Sequence, residues 1–212
     1  VIDDNSNDEN LKKIKDLINS DGIDCEIINH NKSEHKEKIA AENNDETFGN
    51  LSSLLKCFEI AKKEQSDLIY FVEDDYLHYD HSLVDMLDTY ERISSQHKDE
   101  IIVCPSDYPF NYMTNEKTNI LIGSRQHWRI ITKMLCTFMI SKKTFLKHID
   151  SFEKTCEKRH DPFEKYLNEI LQKEIAISPV MSLAIHLTNV NSSYGLSPFV
   201  DYKKLWDENN VN

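Results

Sequence analysis

The sequence predicts an α/β domain with a mainly parallel central sheet flanked by helices. Short apolar runs, typical of strands that are buried on both faces, alternate with longer segments of helical periodicity. The chain has 212 residues, which suits one domain with a sizeable core. No internal repeat or low-complexity linker interrupts it. We therefore expect a single domain over residues 1–212, in which strands and helices follow one another along the chain.

The first half of the chain carries the clearest alternation. The first helix has Leu11, Ile14 and Ile18 on one face, and Gly22 follows its end. Pro105 stops the last strand of this half. Strands are predicted at residues 1–3, 23–28, 68–72 and 101–104, and helices at residues 7–20, 48–63 and 80–96.

The second half is less regular, and its elements are shorter. The segment 107–138 is the least periodic part of the chain. Strands are predicted at residues 120–122, 129–131, 137–140 and 175–177, and helices at residues 141–148, 162–172 and 202–208.

The charge and cysteine content exclude some classes of protein. The net charge of -12 argues against a large nucleic-acid interface, which needs clustered basic residues. The five cysteines are odd in number and none forms a C-x-x-C pair, so we expect reduced thiols in a reducing compartment such as the cytoplasm. No apolar run has the length of a transmembrane segment, and no signal peptide is visible.

Three adjacent carboxylates follow the apolar strand in "LIYFVEDDY", namely Glu73, Asp74 and Asp75. Ligands of open α/β sheets bind at the carboxyl ends of strands. Like charges that lie together there repel one another unless a cation is present. Mg²⁺ or Mn²⁺ with a phosphate-bearing substrate would remove that cost. The alternative interpretation is a solvated acidic turn.

The stretch "LIYFVEDDY" also resembles the acidic metal motif of GT-A fold glycosyltransferases. Three more stretches resemble family-2-like members in the expected order. "VIDDNSND" resembles the segment closing their second strand, "FGNLSSLLKCFEIAKKEQSDLIYF" the helix before the metal strand, and "ISPVMSLAIHLTNVNSS" a late segment with a metal-binding histidine. The resemblance implies a Rossmann-like GT-A fold for nucleotide-diphospho-sugar transfer.

The resemblance also implies roles for the acidic residues. Asp3 and Asp4 would contact the base and ribose of the nucleotide, although Asn5, Ser6 or Asn7 could instead make this segment a helix cap. Asp75 would bind the metal ion that bridges the two phosphates.

Two further site assignments come from the same resemblance. Glu73 or Asp74 would lie near the ribose. His186 would be the late metal ligand, and the alternative is a histidine satisfied within the core, because its neighbours are apolar.

An inverting transferase also needs a general base, for which "RHDPFEKYL" offers Asp161 and Glu164. The family pattern has an adjacent Glu-Asp pair, which this stretch lacks. The alternative is a helix that begins here with Asp161 as its cap and Pro162 in its first position. If the enzyme is retaining, neither residue need act as a base.

The segment "SRQHWRI" is the one concentrated aromatic and basic stretch of the sequence. Trp128 could stack on a sugar ring, and Arg125 or Arg129 could meet a phosphate or an acidic acceptor. The alternative, which we favour, is an ordinary strand with one buried face.

The family's first strand has no counterpart in the sequence, which leads us to expect a start truncated relative to that family. The implied function is metal-dependent transfer of a sugar, as in hexosyltransferases, from a nucleotide-diphosphate sugar to a hydroxyl of a glycan or glycolipid. The implied metal is Mn²⁺ or Mg²⁺, and the implied location is cytoplasmic, with peripheral attachment at the inner face of the membrane as a further expectation.

Two alternatives stay open. One is a nucleotidyltransferase of related architecture, although the four glycines do not cluster into a phosphate loop. The other is a degenerate, non-catalytic transferase-like domain that binds a glycan or a partner. Metal-dependent binding of a nucleoside diphosphate would separate an enzyme from a binding domain.

Overall fold

The computed structural model describes residues 1–40, 45–192 and 195–210. The chain divides into two compact units. The first unit comprises Val1–Gln65 and Ile149–Lys165, and the second comprises Ser66–His148 and Tyr166–Asn212. A single domain over residues 1–212 stays a prediction.

Helices and strands alternate along the described chain, which confirms the α/β class. The strands are β1 (Ile2–Asp3), β2 (Ile28–Asn29), β3 (Leu68–Phe71), β4 (Tyr76–His78), β5 (Ile101–Val103), β6 (Ile120–Ile122), β7 (His127–Ile131), β8 (Phe138–Ser141), β9 (Ile175–Pro179) and β10 (Ala184–His186). The α-helices are α1 (Asp8–Asp21), α2 (Asp45–Ala61), α3 (Ser82–His97), α4 (Lys142–Lys147), α5 (Ile149–Glu157), α6 (Lys165–Ile170) and α7 (Tyr202–Asn209).

In the first unit, α1 connects the two parallel strands β1 and β2. The Asn7 side chain caps α1 by accepting a hydrogen bond from the backbone N–H of Asn10, and Gly22 ends the helix at φ 64°. Strand β2 shares only Ile28 with the strand predicted over residues 23–28, and it pairs with the two residues of β1. Helices α2 and α5 pack together, with 5.1 Å between the ring centroids of Phe58 and Phe152.

The second unit contains a six-stranded sheet in the order β3-β8-β5-β9-β7-β6. Strands β5 and β9 are parallel, whereas the other neighbouring pairs described are antiparallel. The mainly parallel sheet expected from the sequence is therefore wrong, and the sheet is mixed. Strand β8 runs back between β3 and β5, and β6 and β7 pair antiparallel. An apolar run indicates that a strand is buried but does not encode its direction.

The core of the second unit lies against this sheet. Strand β5 is fully buried, and side chains from helix α3 and several strands surround it. The cluster comprises Met86, Ile93, Ile101, Val103, Trp128, Met139, Ile177 and Leu183.

A separate two-stranded sheet follows the carboxyl end of β3. Strand β4 begins five residues after Phe71 and pairs antiparallel with β10. Neither strand was predicted from the sequence. This small sheet positions the candidate site.

All five cysteines are free thiols, and Cys104, Cys136 and Cys156 are buried. Within the described ranges, we find no helix whose length and apolar character would let it cross a membrane.

Candidate metal centre

The acidic triplet begins where β3 leaves the large sheet. The backbone N–H of Glu73 donates a hydrogen bond to Thr137 Oγ1 over 3.0 Å, and the Thr137 hydroxyl in turn donates to Glu73 Oε2 over 3.4 Å. Thr137 immediately precedes β8, so the neighbouring strand fixes the start of the triplet. The Asp74 side chain is exposed, and that of Asp75 is about half exposed.

The small sheet brings Asp75 and His186 together. Tyr76 pairs with His186 in the register of β4 and β10, and the backbone N–H of Leu187 donates to the carbonyl of Asp75 over 2.9 Å. As a result, Asp75 Oδ2 lies 2.7 Å from His186 Nε2. The two residues were both predicted as metal ligands, and they are 111 positions apart in the sequence.

The imidazole of His186 is held on several sides. The Tyr76 ring stacks on it, with 4.8 Å between centroids and an interplanar angle of 9°. Thr188 Oγ1 lies 3.0 Å from Nε2, the same nitrogen that faces Asp75. Strand β4 and the residues after β10 thus fix the histidine. It is not a core histidine, because part of its side chain reaches solvent.

A buried pair of hydroxyl groups supports the stacked ring. Tyr76 Oη lies 2.6 Å from Tyr108 Oη, and both side chains are buried. Burial raises the pKa of both phenols, so they stay protonated and keep this hydrogen bond. The pair fixes Tyr76, and through it the plane of His186.

The pair of Asp75 and His186 can be tested against the requirements of a divalent ion. Neighbouring ligand atoms of an octahedral ion with bonds of about 2.1 Å lie about 3 Å apart. The 2.7 Å between Asp75 Oδ2 and His186 Nε2 is close to that separation. Within the described residues, no group of three or more His, Cys, Asp or Glu side chains could hold a metal. An ion held by these two donors would take its remaining ligands from substrate and water.

A small pocket, with a cavity volume of about 10 Å³, lies beside His186. Asp107, Ser182 and Asn189 contribute to its lining. The backbone N–H of Asp107 donates to Ser182 Oγ over 3.0 Å, which joins the segment after β5 to the segment before β10. The pocket and the candidate metal ligand His186 thus both lie at β10 in the second unit.

Asp107 was not predicted as a site residue. Burial raises the pKa of its carboxyl to about 6, despite a hydrogen bond from the Tyr112 hydroxyl and the charge of Arg129. Arg129 Nη2 lies 3.4 Å from Asp107 Oδ1 and donates to Tyr112 Oη over 2.7 Å. No sequence motif marked Asp107 or Tyr112, which both lie in the segment after β5, whereas Arg129 belongs to β7.

The predicted nucleotide-binding residues Asp3 and Asp4 lie in the first unit, at the carboxyl end of β1. Asp3 Oδ1 accepts a hydrogen bond from the backbone N–H of Ser6 over 3.2 Å. Its other oxygen, Oδ2, is buried without a hydrogen-bond partner in the described part of the chain. Asp4 is exposed, and a Cβ on Gly49 would lie only 2.8 Å from its Oδ2. Helix α1 is capped by Asn7 rather than by either aspartate.

The candidate bases Asp161 and Glu164 also lie in the first unit. Asp161 is exposed and Glu164 is half-buried. The alternative in which Asp161 caps a helix over residues 162–172 is wrong, because α6 begins only at Lys165. Their catalytic role stays a prediction.

The "SRQHWRI" segment forms a strand, as the favoured alternative predicted. Trp128 lies in β7 and is 0% exposed, so it cannot stack on a sugar. Arg129 is engaged with Asp107 and Tyr112, whereas Arg125 is exposed.

We compared the sequence with models of known protein families and with curated proteins. No family model matches the chain, and no curated protein matches it either.

Proposed function

We propose that the chain is a metal-dependent glycosyltransferase of the hexosyltransferase type, which moves a sugar from a nucleotide-diphosphate sugar to an acceptor hydroxyl. The observation that carries this proposal is the 2.7 Å approach of Asp75 and His186 at the carboxyl end of β3. The resemblance to GT-A transferases assigns both residues to the metal. Their juxtaposition is what a shared ligand role requires.

Asp75 and His186 would hold Mn²⁺ or Mg²⁺. When bound, the ion supplies Lewis-acid stabilisation of the negative charge that develops on the leaving diphosphate. Tyr76 and Thr188 orient His186, so that the imidazole needs little rearrangement to act as a ligand. The half exposure of Asp75 leaves its carboxylate accessible to substrate.

Several carboxylates would bind the nucleotide. Glu73 is fixed by Thr137 and would lie near the ribose with Asp74. Asp3 supports a role in base recognition, since its buried Oδ2 lacks a hydrogen-bond partner in the described residues. A buried acceptor of this kind costs free energy unless a donor reaches it. An N–H group of a base would be such a donor.

The acceptor hydroxyl would lose its proton to Asp161 or Glu164 if the reaction inverts the anomeric centre. The acceptor is proposed to be a glycan or glycolipid. We also propose that the protein acts at the cytoplasmic face of a membrane, to which it attaches peripherally.

Calorimetric titration of UDP and GDP into the protein, with Mn²⁺ and with a chelator, tests the proposal. We expect one nucleotide to bind only with the metal, and at least tenfold more weakly to Asp75→Ala. Asp80→Ala is the matched control, because Asp80 is exposed and has no proposed role. Failure of both nucleotides to bind the folded protein would contradict the proposal, as would equal binding by wild type and Asp75→Ala.

A further inference from the structure

Three aromatic side chains near the end of the chain are exposed. Phe199 is 87% exposed, Trp206 is 52% exposed and Tyr202 is 37% exposed. We call these three residues the aromatic stripe. The chain has two tryptophans, and the other, Trp128, is fully buried. The exposed tryptophan is therefore the one that can meet a ligand.

Helix α7 holds the stripe outward. Tyr202 and Trp206 are four residues apart and so lie on the same side of the helix. Leu205 is the buried residue of α7, and the helix packs against β4. Asn209 Nδ2 donates a hydrogen bond to the carbonyl of His78, the last residue of β4, over 3.2 Å. The helix is thus fixed to the strand that begins beside Asp75.

The backbone at Phe199 is strained. Its φ of 67° lies in the left-handed region, which a bulky side chain rarely adopts. Burial does not compensate for this strain, because the ring is almost fully exposed. Strain of this kind is concentrated at ligand-binding sites, where the surrounding structure maintains it. We interpret the conformation of Phe199 as a presentation of its ring to a ligand.

The stripe continues from the pocket beside His186. Ser197 and Val200, on either side of Phe199, both line that pocket. The Ser197 hydroxyl donates a hydrogen bond to the carbonyl of Asp107, which anchors this segment. Phe199 therefore lies at the edge of the pocket, and Tyr202 and Trp206 follow along α7.

The charge around the stripe decides which ligand it suits. Residues 199–208 contain two lysines and three acidic residues, a net charge of -1, and the whole chain carries -12. Binding to an anionic membrane surface depends on clusters of basic residues, which this helix lacks. Sugar rings without charge present apolar C–H faces that can pack on aromatic rings. An exposed aromatic surface without excess positive charge matches that chemistry.

We propose that the aromatic stripe binds a neutral oligosaccharide, the acceptor of the proposed transfer. The assignment of the oligosaccharide as an acceptor rests on the proposed function, because only a transferase needs an acceptor. The stripe would hold the sugars, and the contact of α7 with His78 would keep them near the strand that begins beside Asp75. Trp206 would be a binding residue with no part in the chemical step.

Native gel electrophoresis through soluble neutral polysaccharides tests the stripe. The probes are a glucan, a mannan and a galactan, each cast into a gel. We expect at least one of them to retard the wild-type protein. Trp206→Ala should weaken this binding at least tenfold, and Trp206→Phe should restore most of it. Val84→Ala is the matched control, because Val84 is an exposed apolar residue on α3, and it should behave as wild type.

Two results would overturn the proposal. One is the absence of retardation by all three polysaccharides. The other is equal retardation of wild type and Trp206→Ala. Flotation with vesicles of phosphatidylglycerol tests the membrane alternative, and flotation that depends on Trp206 without polysaccharide binding would also overturn it.

Nucleotide binding in the same variants separates this proposal from the proposed function. Trp206→Ala should bind the nucleotide and Mn²⁺ as wild type does. If polysaccharide binding depends on Trp206 but no nucleotide binds, the transferase proposal fails and the stripe remains a glycan-binding surface. If the nucleotide binds and no polysaccharide does, only the stripe proposal fails.

Discussion

His186 Nε2 lies 2.7 Å from Asp75 Oδ2, and the ring of Tyr76 stacks on the same imidazole. The backbone pairing of β4 and β10 imposes this approach, because Tyr76 and His186 are partners in the register. The relationship therefore does not depend on flexible side chains alone. A site fixed in this way needs little rearrangement when a ligand binds.

Mn²⁺ alone should raise the unfolding temperature of the wild-type protein, because an ion that binds only the folded state stabilises it. At a hundredfold excess over the Kd, the gain is about 2.7 kcal/mol. Asp75→Asn should abolish the shift, since an amide is a weaker ligand but can still accept a hydrogen bond from His186. Thermal unfolding with and without Mn²⁺ measures this, and Asp80→Asn serves as the control. A shift that persists in Asp75→Asn would place the ion elsewhere.

The hydroxyl groups of Tyr76 and Tyr108 should contribute to stability as a pair rather than independently. Each single Tyr→Phe change leaves a buried hydroxyl without its partner, which costs about 1–3 kcal/mol. The double change removes both polar groups and should cost less than the sum of the two single changes. Urea unfolding of the four proteins gives the comparison. Additive losses would show that the hydroxyl groups do not depend on one another.

Much of the candidate site could be predicted from local sequence. The apolar run of β3 followed by three carboxylates marks a strand end, and the resemblance supplied His186. Helix α1 was predicted from its apolar face and from Gly22, which ends it at φ 64°. The end of β3 and helix α1 could be predicted because each depends on neighbours within a few residues.

Other features depend on partners far away in the sequence and could not be predicted. The direction of β8 depends on its pairing with β3 and β5. The network of Asp107, Tyr112 and Arg129 joins the segment after β5 to strand β7. The polar and basic stretch around Trp128 offered it as a candidate for stacking, but the favoured alternative, a strand with one buried face, is confirmed because its side chain faces the core.

Gly123→Ala should destabilise the protein more than Gly22→Ala does. A Cβ at position 123 would lie 2.2 Å from Trp128 Nε1 and 2.8 Å from Thr89 Oγ1, so the buried indole would have to move. Overpacking of this kind costs about 1–3 kcal/mol. At Gly22 a Cβ meets nothing within 4 Å, and the cost is the strain of φ 64° alone. Urea unfolding and tryptophan emission measure the difference, and equal stability of the two variants would contradict it.

A buried chain of hydrogen bonds in the first unit links His30 to Glu59. Ser52 Oγ lies 2.8 Å from both His30 Nε2 and His35 Nδ1, and His35 Nε2 lies 3.2 Å from Glu59 Oε2. Burial acts to raise the pKa of Glu59, but hydrogen bonds from Lys38 and His35 outweigh it, so that pKa is lowered and the group is an acceptor. His35 therefore donates to Glu59, Ser52 donates to His35, and His30 donates to Ser52.

This direction of donation leaves His30 Nδ1 as a buried lone pair, and that nitrogen has no hydrogen-bond partner within the described ranges. Burial is the main cause that lowers the pKa of His30 below 6.5, and the charge of Lys56 acts in the same direction, despite the opposing charges of Asp4 and Glu34. The unfolded chain then binds more protons than the folded one once the pH falls below about 6.5, so stability should decline in that range. Above that pH the residue contributes no pH dependence.

His30→Gln should therefore flatten the loss of stability between about pH 6.5 and pH 5, a window that lies above the lowered pKa of Glu59. Glutamine can still donate to Ser52 but does not titrate, so the variant removes the proton linkage even if it lowers stability at every pH. Urea midpoints at several pH values across the window measure the slope. His127→Gln is the control, because His127 is exposed, and it should keep the wild-type slope. A slope in His30→Gln as steep as in wild type would assign the pH dependence to other groups.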